Sequence, residues 1–297
     1  HEVDISLFID NLPNGCDTTC FSTLDASGST SQAASAIEAI EAGCRALLID
    51  EDTSATNFMV RDALMATVVS PEHEPITPFV ARVRNLWEKV GISSVIVAGS
   101  SGAFFGVADT VLQMERYEAH DITERVREVC RTRGAAPVAC ASGFALPASG
   151  TRHVHLSLPT TRRDFVRDEV AEGEAIDAAS GATGRSSRKG GGSGKERRLK
   201  VRASRDEVSV GGGGADLRLV EQIVDAEQAA ALAQMARVAL TRGLLDGRRS
   251  MGEVVEAVYE EWRRGGWEAL DEHGTPACGL AMPRSQELAA MLNRWRA

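Results

Sequence analysis

No apolar run in the chain approaches the roughly 18 or more residues that a membrane-spanning helix needs, and no charged-then-apolar leader precedes the first apolar segment. Paired Cys-x-x-Cys spacing is also missing. Cys16, Cys20, Cys44, Cys130, Cys140 and Cys278 are scattered, which argues against a zinc site and leaves reduced structural thiols as the expectation. His153-Val154-His155 would bring two imidazoles to one face of a strand, but no carboxylate or thiol lies nearby in sequence to complete a metal set. Basic residues are the minority, 33 Lys or Arg against 42 Asp or Glu, and the formal charge of −9 excludes a uniformly basic coat for nucleic acid. These absences point to a soluble, cytoplasmic protein with no membrane partner. What remains is length enough for two domains, 297 residues, and a hydrophobic content of 43% that suffices for a buried core.

The most informative stretch is Ala46-Leu47-Leu48-Ile49, an apolar strand that ends abruptly in Asp50-Glu51-Asp52. A carboxylate at the end of a buried strand can hold a hard cation, and one beside it can take a proton from water. The plain alternative is a strand running into an acidic turn. Twenty-three residues before Asp50, Ser27-Gly28-Ser29-Thr30-Ser31-Gln32 opens a helical stretch that runs to Ala42. A small-residue turn at a helix start leaves amides and hydroxyls free for phosphate oxygens, although such turns also serve simply as caps.

Together these two elements resemble the signature turn and the Walker B strand of the ABC ATPases. Thr53-Ser54-Ala55-Thr56-Asn57 resembles the D-loop, with Asn57 where many members carry Asp. Ser94 to Ala98, then Gly99-Ser100-Ser101-Gly102, then Val107 to Leu112 look like the strand, switch loop and final strand of the nucleotide domain. Ser100 stands where most members have a switch histidine, which implies either a hydroxyl sensor of the γ-phosphate or slow hydrolysis. The runs Val3 to Pro13, Asp17 to Thr23, Ala26 to Gln32 and Asp50 to Asp62 are similar to one branch, the soluble stand-alone ATPases of the ABC class. The resemblance is close over about residues 2 to 135 and looser toward the end, at Asp216 to Asp225 and Asp246 to Arg249.

By that resemblance, Asp50 holds the Mg²⁺ of ATP and Glu51 is the catalytic base. Ser27, Gly28 and Ser29 clamp the γ-phosphate of a nucleotide bound to a second copy. Asn57 makes the coupling contact across a head-to-tail homodimer, and Ser100 senses the reaction. A phosphate loop, Gly-x-x-x-x-Gly-Lys-Ser/Thr, is lacking. Gly190-Gly191-Gly192-Ser193-Gly194-Lys195 is a decoy, because Lys189 occupies the first glycine position and Glu196 follows the lysine. The chain opens on His1, and the phosphate loop is expected upstream of it. The expected fold is α/β: a partial ABC-type P-loop NTPase domain with a mostly parallel sheet over residues 1–135, a connecting segment over 136–215, and a smaller, mainly helical domain over 216–297. Two function classes follow. One is an ATP hydrolase, possible only in the full-length protein and acting on a macromolecule such as RNA. The other is a nucleic-acid-binding or scaffold protein whose nucleotide clamp turns over little. A transporter subunit is disfavoured, since nothing in the tail resembles a coupling partner.

Strands are placed near Val3 to Ile9, Ala46 to Ile49, Ser94 to Ala98 and Thr110 to Met114. Helices are placed at Ser31 to Ala42, Asn57 to Ala66, Pro78 to Val90 and Ile122 to Arg133, giving a sheet covered on both faces. Later come a short strand pair, Leu199 to Ala203 and Glu207 to Val210, and helical patterns around Val220 to Val224, Ala229 to Leu240, Met251 to Trp262 and Ser285 to Arg296. Trp262, Trp267 and Trp295 read as packing anchors. Between these halves, Ala178 to Gly194 is too rich in Ala, Ser and Gly to bury a core.

Nine Lys or Arg fall between Arg185 and Arg205 against the single acid Glu196. They form either a solvated linker or a contact for RNA, with Arg188, Lys189, Lys195, Arg197, Arg198 and Lys200 as the candidate phosphate ligands. No aromatic interrupts the run, so nothing in it would read a sequence. If it binds single-stranded RNA, affinity should fall by orders of magnitude between about 50 and 200 mM salt, as expected for roughly 6–10 phosphate contacts. Filter binding across that range checks this, and a flat response excludes the RNA contact.

Overall fold

The computed structural model describes residues 2–10, 12, 17–23, 25–69, 74–133, 138, 141, 143–144, 153–155, 165–166, 198–271 and 279–296. In chain order the strands are β1 (Glu2–Val3), β2 (Phe21–Ser22), β3 (Ala46–Asp50), β4 (Ser93–Val97), β5 (Leu112–Glu115), β6 (Glu118–Asp121), β7 (His153–His155), β8 (Phe165–Val166), β9 (Arg198–Leu199), β10 (Val201–Ala203), β11 (Glu207–Val210), β12 (Gly213–Asp216), β13 (Asp246–Ser250) and β14 (Trp295–Arg296). The helices are α1 (Gly28–Glu41), α2 (Thr56–Met59), α3 (Ala63–Val68), α4 (Phe79–Val90), α5 (Thr123–Arg133), α6 (Ala226–Thr241), α7 (Met251–Leu270) and α8 (Ser285–Asn293).

Two cores organise these elements. In the first, Phe8, Phe58 and Phe79 meet with ring centroids 5.1 to 6.1 Å apart, among Ile5, Ile37, Met59 and Leu86. Such separations suit edge-on and offset contacts between aromatic rings. The α/β architecture is as expected, with β3 and β4 forming a parallel pair from Ala46↔Ser93 to Asp50↔Val97. Leu47, Ile49 and Ile96 turn toward the core, while Leu48, Val95 and Val97 lie exposed on the opposite face. The described residues therefore cover one face of this pair, not both. α4 carries Phe79, Val83, Leu86 and Val90 against the core, and Gly91 ends it in the left-handed conformation that glycine adopts without strain.

Several sequence assignments need correcting. The apolar run from Val3 is strand only at Glu2–Val3. Asp4 then accepts the amide of Ser6 at 2.9 Å and the chain coils, with Phe8 and Ile9 amides donating to the Ile5 carbonyl. Val3, Ile5 and Leu7 are buried and alternate with half-buried Asp4 and Ser6 as in a strand, and the local hydrogen bond to Asp4 overrides that pattern. The expected helix Asn57 to Ala66 is two pieces, because Val60 is extended and Asp62 accepts the Met65 amide at 3.2 Å, beginning the second. β5 starts at Leu112 rather than Thr110. It pairs antiparallel with β6 across a tight turn at Arg116 and Tyr117, both in the left-handed region, and lies outside the parallel pair. Val220 and Ile223 are buried, but they sit in turns and Val224 is exposed, so that stretch is not helical.

The second core runs from Leu199 to Trp295 and so begins ahead of the helices. Its antiparallel sheet has the order β10-β11-β12-β14, and the expected hairpin of β10 and β11 is part of it. α6 and α7 begin with the capping boxes that Asp225-x-x-Gln228 and Ser250-x-x-Glu253 encode. The last helix stops at Asn293, not Arg296. Trp295 pairs with Ala215 as a strand and is buried against the core, so packing of the indole overrides helical continuation. Trp262 and Trp267 pack at the same core, edge to face at 6.3 Å. No helix among the described residues is long and apolar enough to cross a membrane.

Tyr259 on α7 donates its hydroxyl to the Pro283 carbonyl. Burial, and then the nearby Glu287 carboxylate, push its phenol from 10.0 up to about 12. The folded chain thus holds the phenol proton more tightly than the unfolded chain does, and this contribution is complete below pH 10 and fades as pH climbs toward 12. The urea midpoint should fall across that window, and Tyr259→Phe should lose the part of the fall that the phenol causes. An identical alkaline slope in the variant would exonerate Tyr259.

Candidate functional site

The parallel register sends the ends of β3 and β4 to the same edge, and the Glu51 amide continues the ladder by donating to the Val97 carbonyl at 2.8 Å. Asp50 closes β3 with an exposed side chain, whose Oδ1 accepts the Asp52 amide at 3.2 Å. The Ser54 hydroxyl donates to the Asp50 carbonyl at 2.6 Å and Thr53 reaches the same oxygen at 3.4 Å, wrapping the turn tightly around the strand end. Glu51 is half-buried, and its Oε2 is shielded from solvent with no hydrogen-bond partner among the described residues. An acceptor taken out of water and left unpaired is costly and is suited to a donor that arrives with a ligand.

Ser27 is the N-cap of α1. Its Oγ accepts the Thr30 amide at 3.4 Å and lies 2.9 Å from the Thr30 hydroxyl. Ser27 and Gly28 are exposed and Ser29 is half-buried, and a Cβ on Gly28 would meet only Ala55, at an ordinary 3.8 Å. The serine-glycine turn therefore stands beside the turn that follows Asp50. Asn57 lies exposed in the single turn of α2.

Three residues without an assigned role in the sequence reading hold these parts together. Gln32, on the second turn of α1, donates from Nε2 to the Ser54 hydroxyl at 2.8 Å and accepts the Ala55 amide at Oε1 at 2.9 Å. Through Ser54 that amide reaches the Asp50 carbonyl. Asp52 accepts the Ser100 hydroxyl at 3.3 Å, and its carboxylate fills the space a side chain at Gly99 would need, since a Cβ there would come within 2.4 Å of Oδ2. Ser100 is thus brought against Asp52. A serine has one proton to donate, so while this bond lasts Ser100 meets other groups as an acceptor. The available signal was a lone amide on the same helix as the buried Ala33, Ala34 and Ile37.

Among the described residues no three His, Cys, Asp or Glu side chains cluster in the way an all-protein metal cage requires. Mg²⁺ at phosphate-binding sites in general needs no such cage, being held through one or two carboxylates together with phosphate oxygens. The exposed Asp50 carboxylate fits that donor chemistry. Of the basic candidates, Arg188, Lys189, Lys195 and Arg197 lie outside the described residues, Arg198 is in β9, and Lys200 is half-buried beside β10.

Residues 1–145 match the ABC_ATPase family, described as a P-loop domain, and residues 200–297 match the MRB1590 C-terminal domain. No curated protein matches the chain.

Removing the Gln32 amide should loosen the turn after Asp50 before anything else. Gln32→Leu leaves the Ala55 amide without its acceptor, at a cost of about 1–3 kcal/mol. Hydrogen exchange at Ala55 should then speed up by about tenfold or more. Unchanged protection would show that the clamp does not hold the turn.

Proposed function

Because residues 1–145 belong to the ABC-class P-loop ATPases, a nucleotide-binding family, we propose that this chain supplies the Asp50-Glu51 half of one ATP site and the Ser27–Ser29 clamp of another, across a head-to-tail homodimer. One observation carries the reading: Gln32 binds the serine-glycine helix directly to the turn that presents the two carboxylates. The part assigned to one triphosphate is thereby fastened, through a single side chain, to the part assigned to the other.

In this reading Asp50 holds Mg²⁺, which when bound neutralises charge on the phosphate oxygens. Glu51 orients the attacking water and takes its proton at Oε2, the carboxylate oxygen with no partner among the described residues. Ser27, Gly28 and Ser29, at the exposed start of a 14-residue helix, direct amides and the helix dipole toward the γ-phosphate of the partner's nucleotide. Asn57 is exposed two residues after Ala55, which the Gln32 side chain holds, and makes the contact between copies. Lys200 and the basic run before it would place RNA near the C-terminal unit.

A second reading, a nucleotide clamp with little turnover, draws support from the two hydroxyls. Ser27 Oγ caps its own helix and Ser100 Oγ donates to Asp52, so neither is free-standing. No Gly-x-x-x-x-Gly-Lys-Ser/Thr run occurs in this sequence, and the test uses the full-length protein. Glu51→Gln should abolish steady-state Mg-ATP hydrolysis, by about a hundredfold or more as for loss of a general base, while nucleotide affinity stays within a few-fold. Wild-type protein that binds ATP without turning it over would establish the clamp instead, and full activity in Glu51→Gln would remove Glu51 from the mechanism.

A further inference from the structure

α1 begins at the candidate nucleotide site and ends against the other core. At 14 residues it is a rod of roughly 21 Å. Near its start Gln32 holds the Asp50 turn. At its end Ala42 packs into the C-terminal core, and the first turn of α7 comes so close that a Cβ on Gly252 would stand 3.4 Å from the Glu41 carbonyl. Between these points Glu38 is buried, and its Oε2 meets Arg294 Nη1 at 3.3 Å with the two side chains 7% and 16% exposed. The same Nη1 donates to the Ala290 carbonyl at 2.8 Å, so the guanidinium is tied to α8 as well. Arg294 immediately precedes Trp295, which closes the C-terminal sheet on Ala215.

We propose that α1 is a strut that couples nucleotide occupancy to the C-terminal unit, with the Glu38–Arg294 pair as its joint. The inference rests on the reading of Ser27–Ser29 as a nucleotide contact and adds to it the regulation of that site. Simple docking of two cores needs only apolar contact, which Ala42 already provides. An ion pair whose carboxylate is buried and whose guanidinium is largely shielded is less forgiving: its strength depends on geometry, and separating it leaves the Glu38 charge buried away from that guanidinium. A nucleotide that draws the start of α1 toward a second copy must carry the joint along or break it, and either result alters α8 and β14. By linkage, whatever binds the C-terminal unit alters nucleotide affinity by the same factor.

The test measures hydrogen exchange over residues 285–296 in the full-length protein, with and without Mg²⁺ and a non-hydrolysable ATP analogue, while calorimetry confirms binding. Wild-type exchange in that segment should change by about fivefold or more on binding, and Glu38→Ala should abolish the change while still binding the analogue. Should Glu38→Ala fail to fold, Glu38→Ala/Arg294→Ala, which leaves neither charge buried alone, is read in its place. A wild-type protein that binds the analogue with no change in the segment, or a variant that responds in full, overturns the strut and leaves the ATP site standing. Failure of the wild type to bind the analogue overturns the ATP site and the strut together.

Discussion

The parallel register of β3 on β4 is the constraint on which the rest of the site depends. With Asp50 opposite Val97, both strands end at one edge, and the turn after one strand is level with the turn after the other. A slip of one residue would reverse which side chains enter the core, driving Leu48 inward and Ile49 out. In the register observed, Asp52 reaches the Gly99-Ser100 loop and Glu51 extends the ladder by one more bond. Three carboxylates in sequence then have three different environments: one exposed at the strand end, one with a shielded and unpaired oxygen, and one packed on a neighbouring loop.

α1 makes that edge part of a larger body. Its N-terminus is capped by Ser27, its second turn is fastened by Gln32, and its last turn belongs as much to the C-terminal unit as to the first. A helix held at both ends cannot tilt at one end without consequence at the other. The pair of buried Glu38 and largely shielded Arg294 sharpens this, because a carboxylate removed from water tolerates little separation from its countercharge. The C-terminal unit is itself closed by the chain's last described residues, where Trp295 completes the sheet and fills its core.

Much of the candidate site was legible because its parts are contiguous. A strand ending in Asp50-Glu51 and a Ser27-Gly28-Ser29 helix start each depend on neighbours in sequence, and their local chemistry survives into the fold. Caps were equally legible: Ser250 and Glu253 close a reciprocal box that four residues specify alone. Illegible were the links at long range. That Gln32 would reach Ser54 and Ala55, or Asp52 the Ser100 hydroxyl, depends on how far apart the backbone leaves them, which no pattern of residue types encodes. The same limit explains the first segment, whose buried Ile5, Leu7, Phe8 and Ile9 read as strand but coil once Asp4 captures the amide of Ser6.

By itself, then, the order of residues determined which helices and strands could form and where the carboxylates and the serine-glycine turn would lie along the chain. Periodicity, capping and apolar runs act over a few residues, and so they are written locally. Tertiary structure alone decided that Arg294 would neutralise Glu38, 256 positions away, and that Trp295 would abandon a helix for a strand. Those outcomes belong to the burial of charge and of a large indole, and burial is a property of the assembled cores.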